Sequence, residues 1–273
     1  MAYVPGSREG LPEAAVKRLQ EMRGGDGRKG LFTSDLSVNE FVLVKDAGFE
    51  PLGLVMGSSI YHIGFQMKGF YQNQELDVLT QAMYEARELA MTRMEEEADV
   101  LGADGIVGVR LEVTRYEWGA AMAEFMAVGT AIRHVGGGSY RTVDNRPFTS
   151  DLSGQDFWTI TKAGYRPLSL VMGTCVYHVA HQGVMQALKQ VGRNIEMPNY
   201  TQALYDAREL ALSRMQAEAE REQAAGIVGV EVRENSHGWD SHVIEYFAIG
   251  TAVTPIADSK PMAEPSMVLP MSD

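Results

Sequence analysis

AGFEPLGLVMGSSIYH at residues 47–62 and AGYRPLSLVMGTCVYH at 163–178 decide the fold, because they are one segment repeated at an offset of 116. Working outward, FTSDLS at 32–37 returns at 148–153 with the same offset. TQAMYEARELAMTRM at 80–94 faces TQALYDARELALSRM at 201–215, and GIVGV at 105–109 faces GIVGV at 226–230, now at an offset of 121. EFMAVGTAI at 124–132 and EYFAIGTAV at 245–253 close the match. Over the blocks 32–66 and 80–132, 43 of 88 aligned positions are identical, so the chain is a tandem duplication. The offset changes between Gln66 and Thr80, which marks a loop that tolerates length variation.

The duplication sets the boundaries: an arm at 1–30 with a short amphipathic helix, repeat 1 at 31–134, a Gly-containing flexible linker at 135–146, repeat 2 at 147–255, and an aperiodic tail at 256–273 expected to lack order. In the arm, Leu11, Ala15, Leu19 and Met22 share one helical face, suited to docking on the assembled protein or a partner. Within repeat 1, Ser37 and Glu40 form a capping box for a short helix that stops at Gly48; Asp156 and Gly164 are their counterparts. Pro51 and the apolar run Leu52–Met56 predict a short buried strand closed by Gly57. Leu76, Leu79, Met83, Ala86, Ala90 and Met94 recur at helical spacing, predicting a helix over about 75–101 that ends at Gly102. The second long helix is expected from near Asn199, after Pro198, to before Gly226. The run Glu95–Glu97 reads as a solvated helix face. Val107, Val109, Leu111 and Val113 alternate with Arg110, Glu112 and Thr114, a strand with one dry face. Ala127, Gly129 and Ala131 share a face of the last strand, where a helix or neighbouring subunit can approach closely. The fold class is therefore α+β: a tandem β-α-β-β unit, each copy preceded by a short helix. A three-stranded unit leaves sheet edges open, which predicts pairing with other copies.

Composition narrows the function. Lys and Arg number 24 against 36 Asp and Glu, a net charge of −12, which argues against nucleic-acid and anionic-membrane partners. The single cysteine, Cys175, excludes an intrachain disulfide framework. No run of eighteen apolar residues occurs and no secretory signal opens the chain, so a cytoplasmic location is expected.

The strand ending V-M-G, the helix pattern A-R-E-L-A-x-x-R-M, the turn L-G-A-D-G-I-V-G-V at 101–109 and the closing G-T-A resemble the YbjQ-like family, whose members are labelled heavy-metal-binding. The resemblance covers 47–132 and, more loosely, 163–253. Repeat 2 departs from it at the turn, where Gln223-Ala224-Ala225-Gly226 replaces Gly-Ala-Asp-Gly, confining any role of Asp104 to repeat 1. It implies a dodecin-like β-α-β-β fold and ring-shaped homo-oligomers, commonly five-fold, without implying a reaction.

Cys175, His178 and His181 form C-x-x-H-x-x-H; thiolate and imidazole suit zinc or copper if a turn brings them to one side. The alternative is a buried thiol beside two ordinary histidines. Tyr61-His62 and Tyr177-His178 end corresponding strands, where they would line a ligand pocket or bond the loop to the sheet. Arg87 and Arg208 sit mid-helix as candidate anion ligands, with Glu124 and Glu245 as salt-bridge partners in the alternative reading. Trp118 and Trp239, between the last two strands, suit packing at a subunit contact. No P-loop, G-x-S-x-G or H-E-x-x-H motif occurs. Three function classes follow: a non-enzymatic ring-forming scaffold or container, with or without a bound transition metal, a small-molecule-binding or sensor protein with a pocket between repeats, and an enzyme of unrecognised type.

Overall fold

The computed structural model describes residues 10–24, 30–62, 73–115, 122–137, 140–180, 196–236 and 243–256. The arm supplies α1 (Glu13–Arg23). Repeat 1 runs α2 (Val38–Asp46), β1 (Phe49–His62), β2 (Gln74–Glu75), α3 (Asp77–Leu101), β3 (Gly105–Arg115) and β4 (Met122–His134). Repeat 2 follows as β5 (Phe148–Thr149), α4 (Gly154–Lys162), β6 (Tyr165–His178), α5 (Pro198–Arg221), β7 (Gly226–Ser236) and β8 (Val243–Pro255). The duplicated β-α-β-β architecture with its preceding short helices is thus as expected. Trp118, Trp239, His181 and the tail beyond Ile256 lie outside the described residues.

Each repeat folds β1-β4-β3 or β6-β8-β7 into an antiparallel sheet with its long helix across one face. The first strand does not close at Gly57; it continues to His62, paired with β4 throughout. Gly57 instead marks the helix crossing. A Cβ there would lie 2.1 Å from the Ala90 carbonyl oxygen of α3, and one on Gly173 would lie 1.9 Å from that of Ala211. Strand and helix backbones touch at these two places, which only glycine permits. A β-bulge between Val107 and Arg110 interrupts the expected alternation of β3. Val109 and Leu111 thereby join Ile106 in the core under α3, while Val107 packs with Val44, Phe49 and Phe157 beneath the short helices.

The helix ends follow local chemistry. Ser37 Oγ accepts from Glu40 N at 3.3 Å and Glu40 Oε2 accepts from Ser37 N at 2.8 Å, the reciprocal box. Glu40 Oε1 also accepts from Gly154 N at 3.1 Å, so one carboxylate caps both short helices. Gly102 ends α3 in the left-handed conformation (φ 74°), and Gln223 adopts the same conformation (φ 56°) after α5 despite its Cβ.

Two expectations are corrected. Glu95–Glu97 is not a solvated face: Glu97 is buried, accepting from Met56 N at 2.9 Å and from Arg18 at 2.5 Å. A carboxylate there satisfies an edge-strand N–H, and α1 covers it, with Arg18 also donating to Leu54 O at 3.0 Å. The linker, expected to be flexible, is tied down over 140–146: Tyr140 packs edge-on against Phe49, and Arg141 donates to Ala103 O and to Asp99.

Candidate functional site

The site is the junction between the repeats, which is built by exchange. Repeat 1 contributes β2 to the edge of β6, and repeat 2 contributes β5 to the edge of β3. Leu76 N donates to Val176 O at 2.8 Å, and Val176 N donates to Thr80 Oγ1 at 2.9 Å. On the other sheet Ser150 N donates to Ile106 O and Val109 N to Ser150 O, both at 2.9 Å. The sheet face of repeat 2 that its own helix leaves open packs on the flank formed by α3 and β3. Leu170, Met172, Val176, Phe247 and Ile249 therefore belong to the same buried cluster as Met83, Met91 and Leu111.

Arg87 sits at the centre with its side chain 2% exposed. It pairs with Glu245 of the other repeat, Nη1 to Oε1 at 2.7 Å, and donates to Thr174 Oγ1 at 2.7 Å. Thr174 Oγ1 in turn donates to Glu245 Oε1 at 3.1 Å, and Asn235 Nδ2 reaches Oε2 at 3.4 Å. The guanidinium lies 4.0 Å from the Phe247 ring centre. Its Nε has no hydrogen-bond partner among the described residues. Glu75 and Arg214 form a second bridge, bidentate at 2.6 and 2.9 Å, with Arg214 also donating to Thr174 O at 2.7 Å.

An acidic cleft of about 180 Å³ opens beside this core, lined among others by Glu88, Glu95, Arg146, Glu218 and Arg221. Burial pushes the Glu95 carboxyl up to about 7, against the pull of Arg146. Burial also raises Glu88 and Glu218; Glu218 accepts from Met172 N at 2.7 Å and from the Tyr84 hydroxyl. The Tyr84 hydroxyl is held protonated by its own burial and by that carboxylate. The Tyr84–Glu218 contact fastens repeat to repeat across this cleft.

The predicted ligand residues lie in different surroundings. Arg87 is locked in the junction, whereas Arg208 is exposed, paired with its neighbour Glu209 at 3.2 Å and lying over Tyr205. Tyr61 lines an apolar groove of about 860 Å³ beside α1, and His62 is exposed at the end of β1. Tyr177 and His178 are buried where β2 pairs with β6. The structure does not bring the two Tyr-His pairs and two arginines to one pocket. Glu245 partners Arg87 across the repeats.

The turn expected for C-x-x-H is a strand. An odd spacing on β6 puts Cys175 and His178 on opposite faces, Cys175 in the core under α5 and His178 on the face turned to repeat 1. Burial, helped by the nearby Glu75 charge, pushes the Cys175 thiol up to about 12, far from a ready thiolate. Cys175 and His178 do not fit a common metal, and among the described residues no group of three His, Cys, Asp or Glu is placed to hold one. Glu75, Thr80, Thr174, Arg214 and Glu218, which build the junction, carry no motif that marks them in the sequence. Thr80, Arg93 and Glu97 recurring as Thr201, Arg214 and Glu218 was the signal.

Comparison with known proteins adds a family and relatives. A family model described as "Putative heavy-metal-binding", YbjQ, matches residues 52–135 and 160–255. An encapsulin nanocompartment protein of Mycobacterium tuberculosis is 54% identical over 241 residues, covering 88% of this chain and 92% of that protein. UPF0145 proteins match a single repeat's length. That of Halorubrum lacusprofundi is 38% identical over 104 residues, 36% of this chain and 97% of its own. That of Clostridium perfringens is 39% identical over 88 residues, 30% of this chain and 81% of its own.

Proposed function

The chain belongs to the YbjQ family, and from that premise we propose that it is a self-assembling structural protein whose role is not catalytic. One observation carries the reading: the repeats are joined as separate subunits are joined, by exchanged edge strands and a buried interface, so the folding unit associates with its own kind. The Mycobacterium tuberculosis relative bears the name encapsulin nanocompartment protein, which supports a role for this chain in a protein assembly. In this reading copies close into a ring, five-fold or pseudo-five-fold as the family resemblance implies, and the ring serves as scaffold or container. The net charge of −12 fits an assembly without nucleic-acid or membrane partners, placed here in the cytoplasm. Among the described residues no helix is long and apolar enough to cross a membrane. The reading does not draw on zinc or copper, since β6 carries Cys175 and His178 on opposite faces.

Native mass spectrometry of protein purified without a metal-affinity tag tests this. The expected result is one closed species at a multiple of 30.0 kDa. A monomer at micromolar concentration refutes the reading. Stoichiometric extra mass lost to a chelator would restore a metal to it.

A further inference from the structure

We propose that the helical flank of repeat 2 docks on the open sheet face of repeat 1 in a second copy of this chain, repeating between chains the junction that one chain already makes within itself. This rests on the self-assembly reading above and names the surfaces that carry it. Each repeat owns both surfaces, but a single chain uses only one of each. The flank of repeat 1 is covered by the open face of repeat 2. The flank of repeat 2 and the open face of repeat 1 are left over.

The leftover surfaces have the chemistry of the used ones. Val109, Leu111, Met172 and Val176, all at the internal junction, are at most 5% exposed. Their sequence counterparts Val230, Val232, Met56 and Ile60 are 36–58% exposed. Apolar side chains kept at matching positions on both leftover surfaces form two complementary patches. The charges match as well. Arg87 meets Thr174 and Glu245 internally; Arg208 stands on the leftover flank, and Ser58 with half-buried Glu124 stands on the leftover face. Glu75 meets Arg214 internally; exposed Glu196 is the counterpart of Glu75, and Arg93 is that of Arg214. Arg93 already donates to Ser58 O as Arg214 does to Thr174 O, so it is held in the orientation its counterpart uses.

The backbone edges agree. Residues 148–150 cover the edge of β3, and their repeat-1 counterparts 32–34 are presented the same way. Ser34 and Asp35 hold Thr130 by their side chains as Ser150 and Asp151 hold Thr251. Phe148 is fully buried at that edge, whereas Phe32 is 44% exposed. Docking would set 32–34 against the outer edge of β7 and bury Phe32. One contact is not reproduced: Arg18 already holds Glu97, the counterpart of the Glu218 that accepts from Tyr84, so α1 takes the place that Tyr205 of the neighbour would otherwise fill. The two surfaces differ from each other, so the contact is head-to-tail and generates a ring where its rotation closes.

The full-length chain tests this by charge reversal and by cross-linking. Arg208→Glu alone and Glu124→Arg alone should reduce the assembled species at least tenfold in native mass spectra, and the double reversal should restore it. Thr33→Cys with Ile227→Cys, counterparts of the register pair Thr149 and Ile106, should give a covalent ladder in 30 kDa steps on mild oxidation, and neither single cysteine should. A wild type that assembles while the ladder is absent and the reversals change nothing overturns the interface but leaves self-assembly standing. A monomeric wild type overturns both. Where circular dichroism shows a reversal variant unfolded, the ladder alone decides.

Discussion

Removing the guanidinium at the centre of the junction, Arg87→Met, should cost more than any surface change. Its partner Glu245 is fully buried, so the variant leaves a carboxylate in the core without its guanidinium, with neutral donors such as Thr174 and Asn235 beside it. Orphaning one member of a buried pair costs about 3–5 kcal/mol. At this chain length a loss of 1 kcal/mol lowers the melting temperature by roughly 2 °C, so the expected fall is about 5–10 °C. Arg87→Met with Glu245→Leu removes both charges but strands the Thr174 hydroxyl, and should remain about 1–3 kcal/mol below wild type. Adding Thr174→Val should bring the triple variant to within about 1 kcal/mol of wild type, because a well-packed apolar replacement of a buried pair is close to neutral. Scanning calorimetry of the four proteins at one fixed concentration reads this directly. A single variant that loses less than about 1 kcal/mol, or a triple variant no better than the single, would refute the argument that the buried charges depend on each other.

Three other outcomes are expected. Gly173→Ala should destabilise by about 1–3 kcal/mol in chemical denaturation, since its methyl would sit 1.9 Å from the Ala211 carbonyl oxygen and must push α5 off the sheet. Gln223→Gly should stabilise by about 0.5–1 kcal/mol in the same measurement, since the residue is already left-handed at φ 56°. Glu95 titrates near 7 in the folded chain against an ordinary 4.5, so the folded state holds the extra proton between those values and stability should fall as pH rises through that window. The Glu95 share of that fall should be about 3 kcal/mol at most; Glu95→Gln should remove this share in melts from pH 4 to 8, leave the smaller slope due to the raised Glu88 and Glu218 carboxyls, and be the more stable protein at pH 8.

The architecture was legible because the chain states it twice. Capping residues, helical spacing and strand alternation recur at matched positions, so each element was checked by its copy. Gly57 shows where such reading stops: a glycine after an apolar run serves equally to end a strand or to admit a helix backbone. The candidate site was less legible for a related reason. Arg87 and Arg208 have nearly identical neighbours in sequence, yet one is buried and the other exposed, because the difference is made by which surface the second repeat covers. Glu97 looked like part of an acidic surface because nothing local announces that a strand-edge N–H lies opposite it. Cys175 and His178 looked like ligands because the spacing of a motif carries no information on whether the chain turns or runs straight.

The exchange of short strands sets an order in time as well as in space. A ribosome releases β3 and β4 before β5, so the bare edge of the first sheet is covered by a later segment of the same chain. β7 meets no such successor among the described residues, and the matching segment, FTSDLS at 32–37, was translated long before it. The β3–β5 edge of the inner seam can therefore form before repeat 2 is complete, whereas the part built on Glu245, Phe247 and Ile249 waits for β8. The outer seam waits for a finished neighbour, and its rate of closure depends on how many finished chains are present.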